Sequence, residues 1–169
     1  MFTVELKEDE ITGALLRLAA SISDLTPVMN DIGDGLVQST QDRMKTGVSP
    51  DGTAFAPRAA STLARYKKLG WSYGLPLHLT GEMAQQVHHA AGPDSVEWGS
   101  SSIQAAVMQF GAAQGQFGAF MGKDKLGRDH FHSIPWGDIP ARTFLGLSED
   151  DRTNILATIA EHLAMAAAP

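Results

Sequence analysis

Eight apolar residues, Ile11, Leu15, Leu18, Ile22, Leu25, Met29, Ile32 and Leu36, follow one another at alternating intervals of four and three. Only an α-helix puts such a series on one side of the backbone, as a narrow seam between polar flanks. Pro27 interrupts the series. Thr26 is a good N-cap and Pro27 suits the first helical position, where no N–H is needed. The pattern therefore predicts two helices, over about 9–23 and 27–45, sharing one buried face. A seam this regular also suits contact with a neighbouring subunit.

Beyond it the signals change. Gly47-Val-Ser-Pro-Asp-Gly52 is a turn region. Ala59 to Leu69 reads as a short helix carrying Arg65, Lys67 and Lys68, with Arg58 just before it. No aromatic interleaving or glycine cradle is evident in that cluster, so a solvated helix face is expected rather than a phosphate site. Thr80-Gly81-Glu82-Met83 opens another short helix. Gln86–Ala91 and Ser95–Gly99 flank Gly92-Pro93-Asp94 and read as an antiparallel hairpin, to whose sheet the Phe2-Val4-Leu6 alternation could supply another strand.

From about residue 112 to 137 the chain is glycine-rich yet carries Phe117, Phe120, Met121, Phe131 and Trp136. These are too apolar for a loop that only meets water, and the glycines make ordering it alone entropically unfavourable. An arm is expected, extended or a β-hairpin turning near Lys123-Asp124-Lys125, with those five residues as its contacts. Ser148 then caps a terminal helix whose first turn holds Glu149, Asp150 and Asp151, with Ile155, Ile159, His162 and Leu163 on one face. The fold class is α+β in a single domain over 1–169, the N-terminal helix pair and C-terminal helix packing on a small antiparallel sheet.

Composition narrows the function. At 169 residues one core can bury about 70% of the unfolded surface. No stretch approaches the roughly 20 apolar residues that cross a bilayer, and the acidic start is unlike a signal peptide. The chain has no cysteine, hence no thiolate or disulfide, which fits a reducing cytoplasm. A net charge of −6 repels nucleic acid. No Gly-x-Ser-x-Gly elbow or phosphate loop occurs. His88-His89 would diverge on a strand. His130 and His132 with Asp129 are the nearest approach to a zinc set, but polar residues on a mobile surface loop are the expected reading. Asp31 and Asp34 read as an exposed acidic helix face. No catalytic residue, cofactor or metal is expected.

Several landmarks in order carry a resemblance. They are Leu25-Thr-Pro-Val-Met29 with Ile32-Gly33, Ser49-Pro-Asp-Gly-Thr-Ala-Phe-Ala-Pro57, Leu79-Thr-Gly-Glu-Met83 and Gln109-Phe-Gly111. The most specific is Ile134-Pro-Trp-Gly-Asp-Ile139-Pro140-Ala141-Arg142, continued by Phe144-Leu-Gly146-Leu-Ser148. Together they resemble the phage virion morphogenesis, or tail completion, family of Mu-like phages. Met108 and Thr143 depart from it, standing where His and Pro are usual.

The resemblance implies a non-enzymatic structural protein that completes the tail or neck. It would be assembled in the host cytoplasm and act as a ring at the head–tail junction, six copies by tail symmetry. Its partners would be copies of itself and neighbouring tail and neck proteins, with DNA met only in passage and no membrane. Ile139, Pro140, Ala141, Arg142, Phe144 and Gly146 would form the family motif or interface. Pro140 fixes the backbone before Arg142, whose guanidinium would make a bidentate contact, either an internal salt bridge or a bond across an interface. The competing readings are a nucleic-acid adaptor using the basic 58–68 segment and a phage-derived hydrolase.

Overall fold

A computed structural model describes residues 9–133 and 138–168. The chain is α+β, and its described residues fall into two compact units. The Phe2-Val4-Leu6 alternation lies outside the described residues.

The first unit takes residues 1–37, 88–98 and 149–169. Helix α1 is Asp9–Ser23, and α2 is Thr26–Thr46, of which the first part belongs here. The Leu25 carbonyl accepts the first helical bond of α2, from the Met29 N–H at 2.8 Å. Leu25 therefore holds the cap position, and the side chain that serves the helix start is that of Asp24 just before it, whose carboxylate accepts the Thr26 N–H at 2.9 Å; Thr26 is thus the first helical residue, not the cap, and Pro27 the second. Those bonds, from Thr26, also hold the Asp24 carboxyl below its ordinary range.

Val87–Ala91 (β1) and Val96–Ser100 (β2) form the expected hairpin, shifted by one residue, and its turn is closed by Gly92 N–H donating to the Ser95 carbonyl at 2.7 Å. The α2 half of the seam builds the core. Val28, Ile32 and Leu36 are buried, and Leu25, Met29, Val96, Trp98, Ile155 and Ile159 pack on them. The last two come from α6, Glu149–Ala167.

The α1 half of the seam behaves otherwise. Ile11, Leu15, Leu16 and Ile22 remain 55–66% exposed. The two helices therefore do not share one buried face. Restarting the helix at Leu25–Thr26 breaks the geometric continuity that the spacing suggests, and α1 packs on α6 instead.

The second unit takes residues 38–87 and 99–148. It holds the end of α2, Ala60–Lys68 (α3), Glu82–Gln85 (α4), Ala105–Phe110 (α5) and the antiparallel pair Ala119–Lys123 (β3) with Asp129–Ser133 (β4). Periodicity does not announce α5, which is too short to show a repeat. Phe144, Met44 and Thr40 are the most deeply buried side chains, with Phe55, Ala84, Val87 and Ala112 also in the interior.

The division of the seam is checked by mutation. Ile32→Ala should destabilise by about 2–5 kcal/mol, as a buried aliphatic truncation does. Leu15→Lys should shift stability by no more than about 0.5 kcal/mol. Urea unfolding of both variants measures this, and equal losses would mean that α1 belongs to the core.

Candidate functional site

Residues 138–147 contain no helix or strand apart from an isolated bridge at Ile139, yet Arg142 and Phe144 are buried. A buried irregular segment must find partners for its peptide groups outside regular structure. Here two long polar side chains supply them.

Gln109, near the end of α5, is the first. Its Oε1 accepts the N–H groups of Phe144 and Leu145, both at 3.0 Å, and its Nε2 donates to the Leu145 carbonyl at 2.9 Å. Only one orientation of the amide satisfies all three bonds. Beside it, the Arg142 N–H donates to the Met108 carbonyl at 2.6 Å. Gly111, at φ +72°, lets the chain turn against the segment; a Cβ there would sit 2.7 Å from the Ile139 carbonyl oxygen and 2.8 Å from the Ala141 nitrogen. Both are backbone atoms and cannot step aside. Ala112 and Ile139 then close an antiparallel bridge, with bonds of 2.9 and 2.8 Å. The Gln-Phe-Gly step is thus a backbone clamp, while Phe110 itself stays 80% exposed.

Arg142 is the second. Its Nε donates to the Ala56 carbonyl at 2.7 Å, Nη2 to the Pro57 carbonyl at 2.8 Å, and Nη1 to the Pro140 carbonyl at 3.4 Å. The contact is internal, but it is not the expected salt bridge, because its acceptors are peptide carbonyls. Burial, with the nearby Arg58 charge second, holds the guanidinium pKa below its ordinary value. The arginine so joins two landmarks far apart in sequence, the Phe55-Ala-Pro57 step and the 139–147 block. Phe55 is buried, and its N–H donates to the Gly47 carbonyl at 2.8 Å.

Gly146 completes the arrangement. Its φ is +153°, and a Cβ would meet Pro50 Cγ at 2.9 Å. Its carbonyl accepts from Arg43 Nη2 at 3.0 Å, while Arg43 also donates to Ser39 and Thr40. Of the motif residues expected from sequence, Arg142, Phe144 and Gly146 are brought together with Gln109 and Arg43. Ile139 serves through its backbone, and Pro140 and Ala141 are exposed.

The arm leaves from the Ala112–Ile139 bridge, and its base is tied again by Gln114 N–H donating to Asp138 at 2.8 Å. Met121 and Phe131 stand directly opposite each other on β3 and β4, exposed by 54% and 67%, and Phe117 is equally open. The side chain of Phe120, and Trp136 entirely, lie outside the described residues. The turn is organised by Asp124, which accepts the N–H groups of Leu126 at 2.7 Å and Arg128 at 3.0 Å and pairs with the Arg128 guanidinium. His130 is exposed and Asp129 pairs with Lys123. Among the described residues no group of three or more His, Asp or Glu could hold a metal ion, and no helix is long and apolar enough to cross a membrane.

The basic segment needs a correction. Tyr66 packs on Trp71 and Tyr73 at ring distances of 5.6 and 5.4 Å, and the Arg58 guanidinium lies over both tyrosine rings. Aromatic rings do accompany the cations. Tyr66 lies within α3 among the charges, and Trp71 and Tyr73 join it from the turn that follows.

A profile of the phage virion morphogenesis family matches residues 6–164. The chain belongs to that family. No curated protein and no solved structure matches it.

Because Arg142 acts as a planar fork, Arg142→Lys should not substitute for it. Loss of two or three carbonyl bonds should cost about 1–3 kcal/mol, lowering Tm by several degrees. Unchanged melting of Arg142→Lys and Gln109→Ala would remove both from the architecture. A pH titration tests the arm. The N–H bond from Arg128, then that from Leu126, hold the Asp124 carboxyl below the ordinary aspartate value of about 3.9. The turn is therefore fully supported above that value, and the support is lost as pH falls through the lowered pKa. The Leu126 and Arg128 amide resonances should titrate together below pH ~4; insensitivity there would show that the turn forms without Asp124.

Proposed function

We propose that this member of the phage virion morphogenesis family completes the tail or neck of the virion as a closed ring of copies at the head–tail junction. Membership gives it a structural part in virion assembly and association with the virion. The observation that supports the finer reading is the arm. A two-stranded hairpin is marginal alone in water, yet this one holds its apolar cross-strand pair Met121–Phe131 open to solvent, on a base fixed by the Ala112–Ile139 bridge. A rigid base and an uncovered apolar tip suit an element that lies on a neighbour. Contacts of that kind are heterologous, and they close into rings when the rotation between copies permits.

Sixfold copy number follows from tail symmetry. The neighbours along the axis would be tail and neck proteins, and DNA would meet the ring only while passing through it. A net charge of −6 suits such a passage, because a surface of like charge lets DNA slide rather than stick.

Hydrogen exchange across residues 112–137 should be fast in the purified chain and strongly slowed in assembled particles. Strong protection in a free monomer would overturn the arm. Microscopy of virions carrying a label on this chain should place a ring of copies on the tail axis; isolated single copies would overturn the ring.

A further inference from the structure

The two units carry opposite charge. Residues 1–37, 88–98 and 149–169 hold thirteen acidic and three basic side chains, an excess of ten negative charges. Residues 38–87 and 99–148 hold six acidic and ten basic, an excess of four positive charges. The net charge of the whole chain conceals this segregation.

On the basic unit the free cations are concentrated on α3. Lys45, Lys123 and Arg128 pair with Asp42, Asp129 and Asp124. Arg65, Lys67 and Lys68 are exposed and pair with no carboxylate among the described residues. Helix α3 buries no residue at all. Nine residues are too few for a helix to be stable on propensity alone, so tertiary burial normally sustains one of this length. Next to it Leu69, Trp71 and Tyr73 stand 42–50% exposed, and a shallow groove of about 540 Å³ runs between Leu63, Lys67, Gly70, Trp71 and Tyr73. Aromatic rings and cations around an apolar groove are the composition of a protein–protein contact.

On the acidic unit, segments 24–37 and 88–98 contain Asp24, Asp31, Asp34, Asp94 and Glu97 and neither lysine nor arginine. All five are exposed. Asp31 and Asp34 stand one turn apart on α2, and the neighbour of Asp34 is the His89 ring at 3.7 Å. Among the described residues none of these five carboxylates pairs with a lysine or arginine.

We infer that the basic–aromatic α3 face of one copy docks on the acidic α2–hairpin face, around Asp31 and Asp34, of a second copy. The inference rests on the proposed ring, for which it names the contact: each subunit presents one face of each sign, so the association is head-to-tail. Duplex DNA is the other anion that such a face can meet. The second copy is favoured because three free lysine and arginine side chains make too few phosphate contacts for stable binding, whereas the complementary face is present once per subunit at equal concentration.

The test uses the full chain and two charge reversals of exposed residues, Lys67→Glu with Lys68→Glu, and Asp31→Lys with Asp34→Lys. Circular dichroism and melting establish that both are folded. In sedimentation at low ionic strength the wild-type chain should self-associate, with affinity falling about tenfold or more once the Debye length is cut well below 10 Å. Each variant alone should remain monomeric. An equimolar mixture of the variants should recover association, because the intact acidic face of one meets the intact basic face of the other and the two reversed faces are complementary as well. A wild-type chain monomeric at low salt, variants that associate like wild type, or a mixture that stays monomeric would each overturn the inference. So would salt-dependent binding of a duplex oligonucleotide that Lys67→Glu/Lys68→Glu abolishes while self-association persists; that result would make the face a nucleic-acid site. If virions carry rings into which both variants assemble normally, this contact fails and the ring stands. If the mixing experiment succeeds but virions hold isolated copies, the ring fails and the contact stands.

Discussion

The second unit depends on finding hydrogen-bond partners for a partly buried stretch of chain that is neither helix nor strand. Gln109 does this within the stretch, and Arg142 ties the stretch to the Ala56–Pro57 step. Gln109 closes on the peptide groups of Phe144 and Leu145, and Arg142 reaches the carbonyls of Ala56, Pro57 and Pro140. A guanidinium placed among carbonyls rather than carboxylates is a fitting device for this task. It brings several donors in one rigid plane, and it never loses its proton at neutral pH. With these bonds in place Phe144 can be fully buried, and Gly111 and Gly146 become obligatory, because the segments they join lie closer than any side chain permits.

That arrangement explains why the landmarks that carried the resemblance are scattered along the sequence. The turn around Pro50, the Phe55-Ala-Pro57 step, Gln109-Phe-Gly111 and the block from Ile139 to Gly146 are parts of one hydrogen-bonded knot. The motif marks the residues that hold the segment together. Its departures fit this reading. Arg142 Nη1 lies 3.9 Å from the Met108 sulfur, so a long apolar side chain is accommodated there, and the Thr143 hydroxyl reaches only the Gln109 carbonyl, at 3.4 Å.

Much of the fold was legible because it rests on local rules. The ends of α1 and α2 follow from the Asp24–Pro27 break, the first hairpin from its Gly-Pro-Asp turn, and the second hairpin from the charged turn at residues 123–125 within an apolar run. The burial of α1 was not legible. Periodicity reports that residues share a face, but not what covers the face, and Leu15 and Ile32 look alike in the sequence though one is exposed and the other buried. Gln109 was missed as a bonding centre because a glutamine has no spacing rule. Its role arises only when α5 and residues 144–145 meet. The aromatic company of Arg58 was missed for the same reason, since Trp71 and Tyr73 return to Tyr66 through a turn that no short window contains.

Net charge is the least informative of the numbers read from this chain, and the reason is physical. Fields at a protein surface decay within about 10 Å at moderate salt, so a partner responds to the charge of the face it approaches and not to the total. A sum of −6 suits avoidance of DNA, but it averages a strongly acidic unit with a basic one. For a single free chain such segregation has little use, since it forgoes the favourable mixing of signs that keeps surfaces indifferent to one another. For a chain whose family builds virions the same segregation has a direct consequence. In the proposed head-to-tail contact, opposite faces would attract and like faces repel, so copies would be oriented before any apolar surface is buried. On that proposal the uncovered groups, the α1 stripe, the α3 groove and the Met121–Phe131 pair, would stay exposed on the subunit without leading to disordered aggregation, because the charge of the approaching face would select which of them meet.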